Sequence, residues 1–158
     1  MSAGATILGW WARELGNRES GPARALAARL RRAGPVDALA ESAVQELGRA
    51  LALRDGARLS RLVRILAEVR EHDGATLPRR LGGAEPAMST LRFQRLIRAD
   101  EAELTDTLRR AIILADRRCN VAALGADLLH WGEATKTNWC FHYYGGEPPR
   151  PEPTETEA

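Results

Sequence analysis

The sequence has 158 residues, of which 44% are hydrophobic, and its net charge at pH 7 is +2. This length suits one domain or two small helical lobes that share a core. The sequence contains no run of eighteen apolar residues and no basic signal-peptide start, so neither a membrane-spanning helix nor contact with a membrane is expected. Two cysteines are too few for a disulfide framework, so we expect a cytoplasmic, reduced protein.

The charges are distributed unevenly along the chain. The segment Gly146–Ala158 is rich in proline and carries four glutamates and one arginine, which predicts a disordered acidic tail. Residues 1–145 hold 22 basic and 17 acidic side chains, so their net charge is +5. Lys136 is the only lysine. Arginine binds phosphate with a two-pronged fork, which lysine cannot do, although a GC-rich genome would produce the same bias toward arginine.

The first half of the chain predicts four amphipathic helices. Apolar residues recur every three or four positions, which is the period of a helix with one buried face. Trp10 and Trp11 are interpreted as core residues, with base stacking as the alternative. Arg58 and Arg61 lie three residues apart near the start of the fourth helix and form a basic cluster. The helices are expected at residues 6–16, 22–33 and 35–51 and, after a break at Asp55-Gly56, as far as Val69.

The helical pattern fails between His72 and Met88, where prolines and glycines indicate a long connection. Neither a strand pattern nor an internal repeat is present in the sequence. We therefore predict an all-α fold made of two small helical bundles. The expected organisation is an N-terminal lobe at 6–72, a connection at 73–88, a C-terminal lobe at 89–145 and the acidic tail at 146–158.

The segment Ser89–Arg118 predicts two consecutive helices with arginine-rich outer faces. Ser89 and Asp100 are suitable N-cap residues, because their side-chain oxygens can accept a free amide of the first turn. Arg92, Arg95 and Arg98 recur every third residue and therefore lie near one another, while Arg109 and Arg110 flank the buried stripe of the second helix. We predict that the two helices pack together on one side and bind phosphates on the other, with a solvated charged surface as the alternative. Two further helices are expected at 120–131 and 133–144.

The sequence contains none of the short motifs that mark nucleotide-binding or hydrolytic enzymes. We expect no catalytic activity and no cofactor. The residues with soft ligand atoms are Cys119, His130, Cys140 and His142, and their spacing lacks the close cysteine pair of a structural zinc site. Structural roles are therefore expected for these four residues, and no metal site.

Three sequence boxes resemble a known family when they are taken together. They are FQRLIRAD (Phe93–Asp100), LRRAIILAD (Leu108–Asp116) and ADLLHWGEATKTNW (Ala126–Trp139), in that order and at fitting spacing. They look like the C-terminal half of the CasB family, the small subunit of the type I-E CRISPR surveillance complex Cascade. The resemblance extends over about residues 8 to 145, and it is looser in the N-terminal half.

The resemblance implies an all-helical, non-catalytic subunit in antiviral defence. Two copies of such a subunit pack along the filament of backbone subunits, beside the large subunit. Guide RNA pairs with the target DNA strand and displaces the other strand. This exchange is nearly balanced in free energy, and protein contacts shift it toward the open R-loop. CasB-like subunits help to stabilise the open R-loop through a basic protein surface that contacts the target and displaced strands. That stabilisation allows a separate helicase–nuclease to be recruited.

The resemblance also implies roles for single positions. Arg92, Arg98 and the pair Arg109/Arg110 match basic positions in the family's boxes, and Arg24 and Arg58 match basic positions in its N-terminal half. Lys136 matches a basic stretch after the WG dipeptide, but Glu133 and Ala134 stand where relatives can be basic. We therefore expect a smaller contribution from the last helix. An internal ion pair with Asp100 is the alternative for Arg98. The predicted nucleic-acid-binding set is Arg24, Arg58, Arg61, Arg92, Arg95, Arg98, Arg109, Arg110 and Lys136.

Two other functions fit the residues less well. A free-standing DNA-binding regulator would need a recognition helix with varied polar side chains for base contacts, whereas the helix from Arg92 to Arg98 is dominated by arginine. A purely structural helical adaptor would carry its arginines only as solvated surface. Neutralising Arg58 and Arg110 together would separate an adaptor from a phosphate-binding protein.

Overall fold

The computed structural model describes residues 1–149, and this part of the chain forms ten helices and two short strands. The strands β1 (Glu71–His72) and β2 (Arg118–Cys119) pair in parallel. The all-α prediction is confirmed, while the predicted disorder of the tail falls largely on residues 150–158, outside the described residues. The helices are α1 (Ala3–Glu14), α2 (Gly21–Arg32), α3 (Pro35–Leu39), α4 (Ser42–Ala50), α5 (Gly56–Leu66), α6 (Leu77–Leu81), α7 (Thr90–Arg98), α8 (Glu101–Leu114), α9 (Val121–Leu129) and α10 (Glu133–Tyr143).

Side-chain caps determine where six of these helices begin. Each cap accepts a hydrogen bond from a backbone amide in the first turn, which would otherwise have no partner. The predicted caps Ser89 and Asp100 are confirmed, with distances of 3.2 Å to the amide of Arg92 and 3.0 Å to that of Glu103. The six capping residues are Ser2, Ser20, Asp55, Ser89, Asp100 and Asn120.

Helix α1 packs closely against α9 in the core. Small residues permit this approach, because a Cβ at Gly125 would lie only 2.7 Å from Cγ2 of Ile7. Trp10 and Trp11 are buried, which confirms their interpretation as core residues. Their indole nitrogens donate to the carbonyl oxygens of Ala43 and Val69 at 2.9 and 3.3 Å. These bonds fasten α1 to the first turn of α4 and to the segment after α5.

The structure corrects three local predictions. The helix predicted at 35–51 is two helices, since Glu41 leaves the helical conformation (ψ 129°) and pairs with Arg29 through two bonds of 2.7 and 3.1 Å. The connection at 73–88 contains α6, whose Leu77 and Leu81 are buried in the core. The strand pair was not predicted, because two residues are too few for an alternating pattern to be visible.

The buried residues form one continuous hydrophobic cluster from Ile7 in α1 to Tyr143 in α10. Both predicted lobes contribute to it, and their division at residues 73–88 stays a prediction. Within residues 1–149, every helix is too short or too polar to span a lipid bilayer.

Candidate nucleic-acid interface

An open groove of about 730 Å³ lies between α7 and α8. Four of the predicted arginines line it together, and their side chains are exposed. Its lining also includes two carboxylates, Glu103 and Asp106, and small apolar residues such as Ala99 and Ala102. We call this feature the arginine groove and define it by Arg92, Arg95, Arg98 and Arg110.

The amphipathic pattern of the two helices builds the arginine groove. Helix α7 turns Phe93 and Leu96 into the core, so that Arg92, Arg95 and Arg98 project from its other side. Phe93 is held by Tyr143, since their rings stack with centroids 4.0 Å apart. Helix α8 buries Leu104, Leu108, Ala111 and Ile112 and leaves Arg110 on the groove side. The arginines are therefore carried by helices that are fixed in the core.

The arginines of the groove have no close acidic partner within residues 1–149. In that range, no carboxylate oxygen lies within 4.0 Å of a guanidinium nitrogen of Arg92, Arg95, Arg98 or Arg110. The alternative in which Arg98 pairs with Asp100 is therefore not seen. Four arginines against two carboxylates leave an excess of positive charge, which suits an anion that presents several oxygens.

Arg58 and Arg61 occupy a different place, on α5. Arg58 donates to the carbonyl oxygen of Leu129 at 2.6 Å and lies 3.7 Å from a carboxylate oxygen of Asp55. The Nε atom of Arg61 is buried and has no hydrogen-bond partner in the described part of the chain. Burial lowers the pKa of Arg61, and the charge of Arg58 adds to the effect, while Glu101 and Asp55 oppose it. These two arginines do not line the arginine groove.

Arg109 points away from the groove and into an internal ion-pair network. Its Nε lies 3.2 Å from one oxygen of Glu68, and Arg117 lies 2.5 Å from the other. The guanidinium of Arg109 also donates to the carbonyl oxygen of Arg31. Glu68 is almost fully buried, so the network joins α2, the end of α5 and α8 within the protein. The neighbours Arg109 and Arg110 therefore have different environments.

The last two predicted residues lie elsewhere on the surface. Arg24 is exposed on α2 and donates to the carbonyl oxygen of Arg18. Lys136 is half-buried in the second turn of α10. The structure thus brings together four of the nine predicted residues and distributes the other five over separate places.

Sequence reasoning missed a second group of arginines. Two adjoining hollows of about 450 and 290 Å³ share Arg18 and Arg70. We call the two hollows together the arginine basin. The basin arginines come from three separate regions of the chain, so no local sequence pattern groups them, and only Arg24 belongs to the predicted set. They are Arg18, Arg24, Arg31, Arg70, Arg117 and Arg118.

Comparison with protein families explains this architecture. The family model of CRISPR-associated protein Cse2 matches residues 27–144, which is most of the chain and includes every helix from α3 to α10. The chain belongs to the Cse2 family. This is the CasB family of small subunits of the type I-E Cascade complex, so the resemblance read from the sequence is confirmed. No curated protein and no solved structure gives a significant match.

Membership of the Cse2 family places the chain in the type I-E Cascade complex with other subunits. The family is a structural component of Cascade and is not a known enzyme. The arginine groove lies wholly within the matched residues, as do Arg58, Arg61 and Lys136, whereas α1 and Arg24 precede them.

Proposed function

We propose that this Cse2-family chain is a non-catalytic subunit that stabilises the Cascade R-loop by binding nucleic-acid backbone in the arginine groove. One observation carries the proposal: four exposed arginines converge in one groove of the family-matched region, and within residues 1–149 no carboxylate lies within 4.0 Å of their guanidinium nitrogens. Their guanidinium groups offer several donors to phosphate oxygens without reading a base sequence. A subunit that must hold any target sequence needs contacts of this kind.

The charge of the chain supports a role inside an assembly. A net charge of +5 over residues 1–145 is modest, so binding by the free chain would be weak. Within Cascade, guide pairing already holds the target strand, and a few phosphate contacts are enough to bias a nearly balanced exchange. We propose as partners the backbone-filament subunits, the large subunit, a second copy of this chain, the guide RNA and both DNA strands.

The test is a reconstitution of Cascade with and without this chain. The lifetime of the R-loop on a matched duplex is followed as the salt concentration rises. We expect the chain to lengthen the lifetime, and the gain to shrink with salt because counterions compete for the phosphates. If the chain joins the complex without changing the lifetime, it is an adaptor. If it does not join but binds bare DNA, the regulator alternative replaces the proposal.

A further inference from the structure

The C-terminal end of α10 is fixed beside the arginine groove. The ring of Tyr143 stacks on Phe93 of α7, and the hydroxyl of Tyr143 donates to the carbonyl oxygen of Met88. Met88 itself lines the groove. The carbonyl oxygen of Tyr143 accepts from the amide of Gly83 at 2.9 Å. The chain that leaves α10 therefore starts next to the groove and is held there by contacts on both sides of Tyr143.

Arg79 of α6 holds the first residues after α10. Its Nη2 atom donates to the carbonyl oxygen of Gly146 at 3.2 Å and lies 3.5 Å from a carboxylate oxygen of Glu147. Gly145 has φ of 80°, a conformation that glycine adopts readily, and it turns the chain where α10 ends. The acidic tail (146–158) thus begins at a fixed point on the protein.

The groove and the tail carry opposite charges of equal size. Four arginines and two carboxylates line the groove, which gives it a net charge of +2. The sequence of residues 150–158 contains Glu152, Glu155 and Glu157 against Arg150, which gives a net charge of −2. Carboxylates accept paired hydrogen bonds from arginine forks, as phosphates do. The tail therefore offers the arginines the same kind of ligand atoms as a nucleic-acid strand.

The tail is long enough to reach every arginine of the groove. Glu157 follows Glu147 by ten residues, which span at most about 36 Å when extended. Helix α8, which forms one wall of the groove, has 14 residues and is about 21 Å long. The arginine basin is a poorer match for the tail. Its lining, as far as the structure describes it, includes no residue of α6, of α10 or of the segment 82–88.

A tethered group of carboxylates acts as a weak competitor for phosphates. Attachment to the same chain gives such a group a roughly millimolar effective concentration. That is enough to occupy a groove that free nucleic acid binds weakly. A strand in Cascade offers one phosphate per nucleotide and is retained by guide pairing, so it displaces three carboxylates.

We propose that the acidic tail binds in the arginine groove of the free chain and competes there with nucleic-acid phosphates. The inference rests on the proposed function of the groove. It adds a filter to that function: the tail excludes nucleic acid that the guide RNA has not selected, and a strand positioned by the guide displaces the tail.

The test uses the full chain, isotope-labelled, and two matched variants. The tail variant is Glu152→Gln/Glu155→Gln/Glu157→Gln. The control variant removes the same charge from exposed positions outside the groove and is Asp37→Asn/Glu46→Gln/Glu133→Gln. Backbone-amide chemical shifts measured by NMR report where the tail makes contact. Fluorescence anisotropy measures the affinity of the free chain for a labelled single-stranded DNA of random sequence.

At low salt we expect the tail variant to change amide shifts along α7 and α8, while the control variant changes them only near its own substitutions. High salt should abolish the difference in α7 and α8, because counterions screen the ion pairs. We also expect the tail variant to bind the DNA about fivefold more tightly, against less than about twofold for the control. The gain should disappear in a chain that also carries the groove pair Arg95→Ala/Arg110→Ala.

The inference is overturned if the amides of α7 and α8 do not shift in the tail variant, or if the shifted amides lie at Arg18 and Arg70 of the basin instead. It is also wrong if the gain in affinity persists beside the groove pair, because the tail then acts only through total charge. The R-loop lifetime of Cascade with the groove pair tests the proposed function separately. A shortened lifetime without a tail contact leaves that function standing, whereas an unchanged lifetime overturns the function and the inference with it.

Discussion

Two neighbouring arginines on α8 show how one residue step separates an internal ion-pair network from an open groove. Arg109 is tied to Glu68, whose side chain is only 7% exposed, whereas Arg110 faces the open groove. Glu68 also holds Arg117, and the charges of Arg31 and Arg64 lie close to this network. Burial lowers the pKa of Arg64, and repulsion from Arg109 acts in the same direction. Glu68 therefore balances the charges of Arg109, Arg117 and Arg31, while Asp106 attracts Arg64.

Replacing Glu68 by glutamine should destabilise the fold by about 3 kcal/mol, because it leaves partly buried arginines without their counter-charge. Urea unfolding followed by circular dichroism measures the effect. The matched control is Glu71→Gln, which breaks the exposed pair with Arg118 and should cost less than about 1 kcal/mol. Equal losses in the two variants would show that the Glu68 network is not a buried anchor.

The sequence predicted the arginines but not their partners. Arg92, Arg95, Arg98 and Arg110 could be found because they sit on the outer side of a regular apolar stripe. Arg109 has the same sequence context, and only the packing of α5 beside α8 brings Glu68, 41 positions earlier, within reach of it. Contacts over such separations leave no local pattern. The environment of Arg109 and the grouping of the basin arginines were therefore not predictable from the sequence alone.

At the scale of elements, small residues let α1 pack closely against α9. Gly4 and Gly125 allow it, since a Cβ at Gly4 would lie 2.8 Å from the carbonyl oxygen of Ala122. The caps Ser89, Asp100 and Asn120 were predictable, because capping depends on residues only three positions apart. The break between α3 and α4 was not, because the apolar period continues across it and a distant residue, Arg29, holds Glu41 in place.

Gly125→Ala should destabilise the protein by about 1 to 3 kcal/mol, because the added methyl group would overlap Ile7 in a packed interface. Thermal and urea unfolding measure the loss. Gly74→Ala is the control, since a Cβ there meets nothing within 4 Å. In a double variant with Ile7→Ala, the loss of unfolding free energy should be smaller than the sum of the losses in the two single variants, because the clash disappears. Full additivity would contradict this account of the α1–α9 contact.

For the whole molecule, a single continuous core carries the arginine groove and the arginine basin on its surface. The fold class and the family could be predicted, because helical periodicity and the three sequence boxes are local features of the chain. The positions of the eight predicted arginines and Lys136 relative to one another could not be predicted, and the structure places four of the arginines in one groove. The central claim is that this groove stabilises the R-loop through phosphate contacts.

The most direct test of that claim is the R-loop lifetime of Cascade assembled with the groove pair Arg95→Ala/Arg110→Ala. We predict a lifetime about tenfold shorter than with the unmodified chain at low salt, because two charge-assisted contacts are lost. The salt dependence of stability should be shallower by about 1.4 in logarithmic slope. The control pair Arg13→Ala/Arg49→Ala should keep the original lifetime. A groove pair that assembles normally and matches the control in lifetime and salt slope would contradict the account.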